Sequence, residues 1–252
     1  MANHNIRELM EKYQNSDGYK IISKLNHIGY SHNIFIQNSN ELVATLQKYE
    51  DPDFSIPLQK ENYSEYFKVV NKDLHNFLAS VKTLVDHSRA VVEDLYPKDS
   101  EIRGKYDTEV KNKFENNPLV AFVQNLRNYT LHRKIPYVNA EMSFNVNEGF
   151  ESSIKLEKSE LLEWDGWKKI AKEYLKELPE KFSLLILMTD YKTTVINFYN
   201  WFYQEQQEYH KAEFEEFNIL GKQIESFNKQ INDLGTELLS KVREDINNKG
   251  LY

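Results

Sequence analysis

Residues 63–96 read YSEYFKVVNKDLHNFLASVKTLVDHSRAVVEDLY, and this stretch decides the fold. Tyr66, Val70, Leu74, Phe77, Val81, Leu84, Ser88, Val91 and Leu95 recur in alternating steps of three and four. Such spacing lines one side of an α-helix, because about 3.6 residues complete a turn. At 1.5 Å per residue the helix spans roughly 50 Å. Pro97 ends it, since proline supplies no amide hydrogen and clashes with the preceding turn. A helix of that length with a single apolar side is the core helix of a bundle.

Downstream, Ser100 to Glu115 is charged and weakly patterned, either a surface helix or a partly ordered excursion. Asn117-Pro118 reads as an N-cap followed by proline in the first turn. The helix it opens carries Leu119, Phe122, Val123, Leu126 and Thr130 on one face and stops before Pro136. Met142, Phe144 and Val146 then alternate with polar residues, as do Phe150, Ser152, Ile154 and Leu156. With Asn147-Glu148-Gly149 between them, these runs predict a β-hairpin. Ser159 to Leu178 is amphipathic, and Pro179 opens a further helix through Phe182, Leu185, Ile196 and Tyr203. Phe217, Leu220, Ile224, Phe227, Ile231, Leu234, Leu238 and Val242 form a last run with heptad spacing. That run suits either a coiled-coil seam or packing within the same bundle.

Upstream the pattern weakens. Asn5 to Tyr13 and Asn40 to Tyr49 read as short helices, the second capped by Asn40. Between them Tyr19 to Gln37 mixes aromatic, Asn and His residues without a clear period, and Pro52 and Pro57 mark a boundary. The chain therefore divides into an irregular N-terminal segment with short helices (1–60), a helical bundle with a hairpin near 141–157 (61–210), and a heptad-patterned helix (211–252). The last packs on the bundle or on a partner. The fold class is mainly α, with long antiparallel helices and one small β-hairpin insertion. Eight glycines and six prolines in 252 residues are about half the usual combined share, as long helices require.

Composition excludes several function classes. There is no cysteine, so disulfide scaffolds, thiolate nucleophiles, thiolate zinc sites and iron–sulfur clusters are ruled out. No run approaches 18 uninterrupted apolar residues, and the polar opening Met1 to Asn5 lacks the core of a secretion signal. A cytoplasmic protein that does not span a membrane is expected. With 32 basic and 39 acidic residues the net charge is −7, so any nucleic-acid contact must be local. Motifs of the G-x-x-x-x-G-K, H-E-x-x-H and G-x-S-x-G types are absent. His27 and His32 lack a carboxylate partner at regular spacing, so neither a metal nor another cofactor is expected.

Arg127-Asn128-Tyr129-Thr130-Leu131-His132 closes the helix that Pro118 opens. On an ideal helix Arg127 and His132 point about 140° apart, whereas Asn128 and His132 share a face. Asn128 is thus placed to orient the imidazole. Arg127 reaches His132 only if the last turn unwinds or if a second copy supplies one of the two. Arg suits a phosphate through its planar fork of donors. His suits proton transfer because it titrates near neutrality. Arg133 and Lys134 add a local basic patch, and Tyr129 either stacks on a base or packs in the core. A structural role stands beside these readings, because Arg and His at a helix end also satisfy carbonyls and the dipole. On the long helix, Asp86-His87 with Arg89 reads as a supporting partner of the motif or as a rim histidine.

An Arg followed by a polar residue, with His five positions after the Arg, resembles the signature of HEPN domains. The wider segment Phe122-Val-Gln-Asn-Leu-Arg-Asn-Tyr-Thr-Leu-His-Arg-Lys-Ile-Pro136 is similar to that of uncharacterised bacterial HEPN-like proteins. The resemblance covers roughly residues 63–210. It implies an all-helical bundle and a homodimer that brings two copies of the motif together. It also implies a metal-independent ribonuclease, of a toxin or phage-defence kind, with an antitoxin or regulatory protein as a further partner. Catalysis would fall to Arg127, Asn128 and His132, and RNA binding to Tyr129, Arg133 and Lys134. The products would be a 2′,3′-cyclic phosphate and a 5′-hydroxyl. The alternative is a non-catalytic RNA-binding or protein-interaction module of the same fold.

Overall fold

The computed structural model describes residues 2–59, 63–145 and 149–248. Its described part is mainly helical, with a small three-stranded antiparallel sheet. The residues fall into two compact units, 26–204 and 1–25 together with 205–252.

The larger unit is built on three long helices. Helix α4 runs Tyr63–Leu95 and buries Val70, Leu74, Phe77, Val81, Leu84 and Ser88, the side the spacing assigns to the core. Helix α2 runs Asp17–Glu50, and its C-terminal part lies along α4. Ser31 meets His87, Phe35 meets Phe77, Thr45 meets Asp73 and Tyr49 meets Tyr66. One series rises as the other falls, so the two helices are antiparallel. Helix α9, Leu184–Tyr209, places Tyr191 against Phe77 and Tyr199 against Ser88, and so runs parallel to α4.

An irregular 1–60 segment is not what forms. Helix α1 spans Ala2–Asn15, α2 continues through Tyr19 to Gln37, and α3 covers Pro52–Leu58. Asn40 lies within α2, where it accepts a hydrogen bond from Lys192 Nζ at 2.6 Å. The buried stripe of α2 is Ile28, Ser31, Phe35, Ser39, Leu42, Leu46 and Tyr49, a helical period with two serines in it. Both hydroxyls bond back one turn, Ser31 to the His27 carbonyl (3.0 Å) and Ser39 to that of Phe35 (2.6 Å). Those bonds satisfy a small polar group inside the core, and they hide the period from a reading by hydrophobicity.

Helix α5, Glu101–Val110, buries Ile102 and Tyr106 and passes into a π-helical turn, Lys111–Glu115. Helix α6, Pro118–His132, starts where expected, with the Asn117 side chain accepting from the Val120 amide at 3.3 Å. Strands β1 (Val138–Asn145) and β2 (Gly149–Glu157) pair antiparallel from Val138 opposite Leu156 to Asn145 opposite Gly149. Gly149 has φ +83°, a conformation glycine adopts at little cost. Of the expected turn, residues 146–148 lie outside the described residues.

The single helix expected over Ser159 to Leu178 is instead two. Helix α7 is Lys158–Leu162 and α8 is Lys169–Glu177. Trp167 Nε1 donates to the Leu161 carbonyl at 2.6 Å, and the Lys168 amide donates to Asn125 Oδ1 at 3.0 Å. These bonds hold a turn between the helices. Gly166 lies so close to the Trp164 ring that a Cβ there would sit 2.2 Å from it. Residues Lys181–Ser183 form β3, paired with β2, rather than the start of a helix.

In the smaller unit, α10 (Lys211–Asn248) packs on α1, with Phe217 stacked on Tyr13 at 4.8 Å. Farther along α10 the heptad side chains Ile231, Leu234 and Leu238 are exposed.

Candidate functional site

Packing fixes the orientation of α6. Phe122 stacks on Trp167 at 5.3 Å with the rings nearly parallel, and Tyr129 packs between Trp164 and Trp167. Tyr129 is 1 % exposed, so packing, not base stacking, is the role the structure gives it. With that side of α6 committed, Arg127 and Asn128 lie half-buried on its flank.

Helix α6 stays regular through His132, and the Arg133 amide closes its last turn on the Tyr129 carbonyl at 2.8 Å. The last turn therefore does not unwind, and Arg127 and His132 diverge. Arg127 lines a cleft of about 340 Å³ between α4 and α6, whereas His132 is exposed outside it. Asn128 does not orient His132 either. Its Oδ1 accepts from Arg127 Nη1 at 3.3 Å and steadies the guanidinium. Arg133 is exposed. Lys134 pairs with Glu160 at 2.7 Å, a bond that raises its pKa and takes it out of a free basic patch.

In place of His132, the cleft holds two histidines of α4. His75, Lys82, Asp86 and His87 line it opposite Arg127 and Thr130. Lys82 and Asp86 form an ion pair with each other, so Arg127 carries the uncompensated charge. Its Nε is buried without a hydrogen-bond acceptor among the described residues, an unsatisfied donor of the kind that costs stability.

His87 is held in place. Its Nδ1 lies 2.5 Å from Ser31 Oγ, and that hydroxyl is also within reach of the His27 carbonyl at 3.0 Å. A hydroxyl has one hydrogen. With it given to the carbonyl, Oγ accepts from His87 Nδ1–H, and the neutral ring keeps its lone pair on Nε2, the form a general base needs.

Reading the sequence missed His75 and gave His87 only a supporting place. A signal was present: Lys82 and Asp86 follow His75 by seven and eleven residues, each within about 20° of it on a helix, beside the apolar seam. Elsewhere, His32 stacks on Tyr199 at 4.6 Å, and burial holds its pKa below the ordinary value. No cluster of three or more metal-ligating His, Asp or Glu side chains occurs among the described residues. Among the same residues, no helix is long and apolar enough to cross a membrane.

What fold and site define is a mainly helical protein with a small antiparallel sheet and an arginine–histidine cleft between two core helices. No family model matches the chain, and no curated protein or solved structure matches it.

Proposed function

We propose that the cleft between α4 and α6 binds the phosphodiester of RNA and that the protein is a HEPN-like, metal-independent endoribonuclease. The observation that carries this reading is Arg127, a half-buried guanidinium facing two imidazoles across a cleft whose other charges cancel. Arg127 holds the non-bridging phosphoryl oxygens, and Asn128 positions it. His87 takes the proton of the ribose 2′-hydroxyl. The 2′-oxygen forms its bond to phosphorus while the bond to the 5′-oxygen breaks, and a protonated histidine gives that oxygen its hydrogen. A 2′,3′-cyclic phosphate and a 5′-hydroxyl result.

The acid in this scheme is His132 of a second copy. His132 lies outside its own chain's cleft, and Leu131, Ile135 and Tyr137 beside it are exposed apolar side chains of the kind a homodimer covers. Arg133 sits at the rim of that contact. Incubating a structured RNA with the protein, with and without EDTA, tests the proposal. Cleavage should persist in EDTA and be lost in Arg127→Ala, His87→Ala and His132→Ala proteins that melt normally. Cleavage unchanged in the Arg127 variant overturns it.

The exposed position of His132 favours a second reading, a non-catalytic RNA-binding or protein-interaction module of the same fold. In that case the dimer forms, RNA is bound but not turned over, and Arg127→Ala reduces RNA affinity alone.

A further inference from the structure

On the other side of α4 lies a second hollow, and its chemistry differs from that of the cleft. It is a cavity of about 350 Å³ whose walls include Phe35, Leu84, Phe114, Tyr191, Val195 and Phe198. Arg89, Lys168 and Lys169 also line it, with Glu115 as its single carboxylate. These four are exposed, whereas Phe35, Leu84, Tyr191 and Phe198 are buried. Charge therefore gathers at the mouth and apolar surface inside. Among the described residues, none of the three cations forms an ion pair. We propose that this cavity binds a compact, largely apolar small molecule that carries a carboxylate or similar anionic group.

Two observations support the assignment beyond the hollow itself. Lys168 and Lys169 stand at the N-terminus of α8, with no acidic residue in its first turn. A helix start carries partial positive charge and favours anions, so two cations there oppose the dipole until a negative group joins them. The wall at Phe114 and Glu115 belongs to the π-helical turn Lys111–Glu115. Such turns are rare and are found frequently at functional sites.

The interior polar groups narrow the ligand. Ser88 Oγ donates to the Leu84 carbonyl (2.8 Å) and lies 2.6 Å from the Tyr199 hydroxyl. Asn125 donates to the Ala121 carbonyl (2.8 Å) and accepts from the Lys168 amide (3.0 Å). Ser88, Tyr199 and Asn125 are thus already committed. A sugar or nucleobase, whose many buried polar atoms need partners, finds few free ones there beyond the Tyr106 and Tyr191 hydroxyls. A hydrophobic body fits well, and the volume stands at the small end of ligand pockets.

The inference does not depend on the RNA reading. A matched pair of fluorescent probes tests it in the full chain: anilinonaphthalene sulfonate and its uncharged counterpart phenylnaphthylamine. The sulfonate should bind about tenfold more tightly. Lys168→Ala/Lys169→Ala, which alters only exposed side chains, should remove most of that advantage and leave the neutral probe unchanged. Ala121→Phe, which fills the hollow, should abolish binding of both. Equal affinity for the two probes, or an advantage that survives loss of both lysines, overturns the anionic assignment. Probe binding retained in a folded Ala121→Phe protein overturns the cavity as the site.

Discussion

The two hollows share α4 and α6 as walls yet have opposite character. Residues 75, 78, 79, 82, 83, 86 and 87 of α4 face the cleft, and 81, 84, 85, 88 and 89 face the cavity. Titratable groups make up half the lining of the first, whereas the second is apolar inside and charged only at its mouth. The difference is one of helix angle. A rotation of about 100° per residue lets adjacent residues such as His87 and Ser88 serve different environments. One helix can thus present titratable groups on one flank and an apolar wall on the next.

The largest effect that tests this contrast is on the polar side. Arg127→Ala should lower RNA cleavage by about 10²–10³-fold, the usual cost of removing a group that stabilises transition-state charge. Single-turnover assays read it, and a melting curve should show little change. A large fall in melting temperature with proportionate loss of activity would make Arg127 a structural residue instead.

Stability should show the reverse asymmetry. Leu84 is 2 % exposed on the cavity side and Leu131 is 49 % exposed at the cleft. Leu84→Ala should cost about 2–3 kcal/mol in denaturant unfolding, and Leu131→Ala within about 0.5 kcal/mol. Similar costs for both would mean that the cleft is closed in solution.

A smaller effect concerns pH on the apolar side. His32 stacks on Tyr199, a cavity-lining residue, and burial depresses its pKa. The unfolded chain takes up this proton near the ordinary value of about 6.5, and the folded chain only at lower pH. Its contribution to stability is therefore present above that value and lost as pH falls through the folded one. Melting curves from neutral to mildly acidic pH should show the decline, and His32→Phe should flatten it.

The smallest effect lies away from both hollows. Lys155 and Lys181 each bond Glu141 at 2.7 Å and hold its carboxyl below the usual range. This contribution is present above the ordinary carboxylate pKa and is lost as pH falls through the lowered value. Glu141→Gln should weaken the protein slightly at neutral pH and make no difference at strongly acidic pH.

Much of this was legible one residue at a time. Helix α4 was, because its seam is apolar at nearly every step, and α6 was, because Asn117 and Pro118 announce it. Helix α2 was not, because Ser31 and Ser39 occupy core positions and look polar until their back-bonds are seen. Strand β3 has three residues and no period of its own, and it exists because β2 offers an edge. The Arg127 motif was legible as a motif and His87 as a supporting partner, but His75 was not. The sequence pointed to His132, five residues away along the chain. The fold brings His75 and His87 to the same cleft from some 40–52 residues away.

The sequence by itself determined the mainly helical class, the long core helix, the hairpin strands, the cap of α6 and the exclusion of thiol chemistry. These follow from local propensity and periodicity, which act within a few turns of chain. Only the tertiary structure decided that Arg127 lines a cleft with His75 and His87, that Tyr129 is buried and that Lys134 is held by Glu160. It alone also decided that α4 separates a polar hollow from an apolar one. Those outcomes depend on which helix faces pack together, and that is set by interactions between residues far apart in the chain.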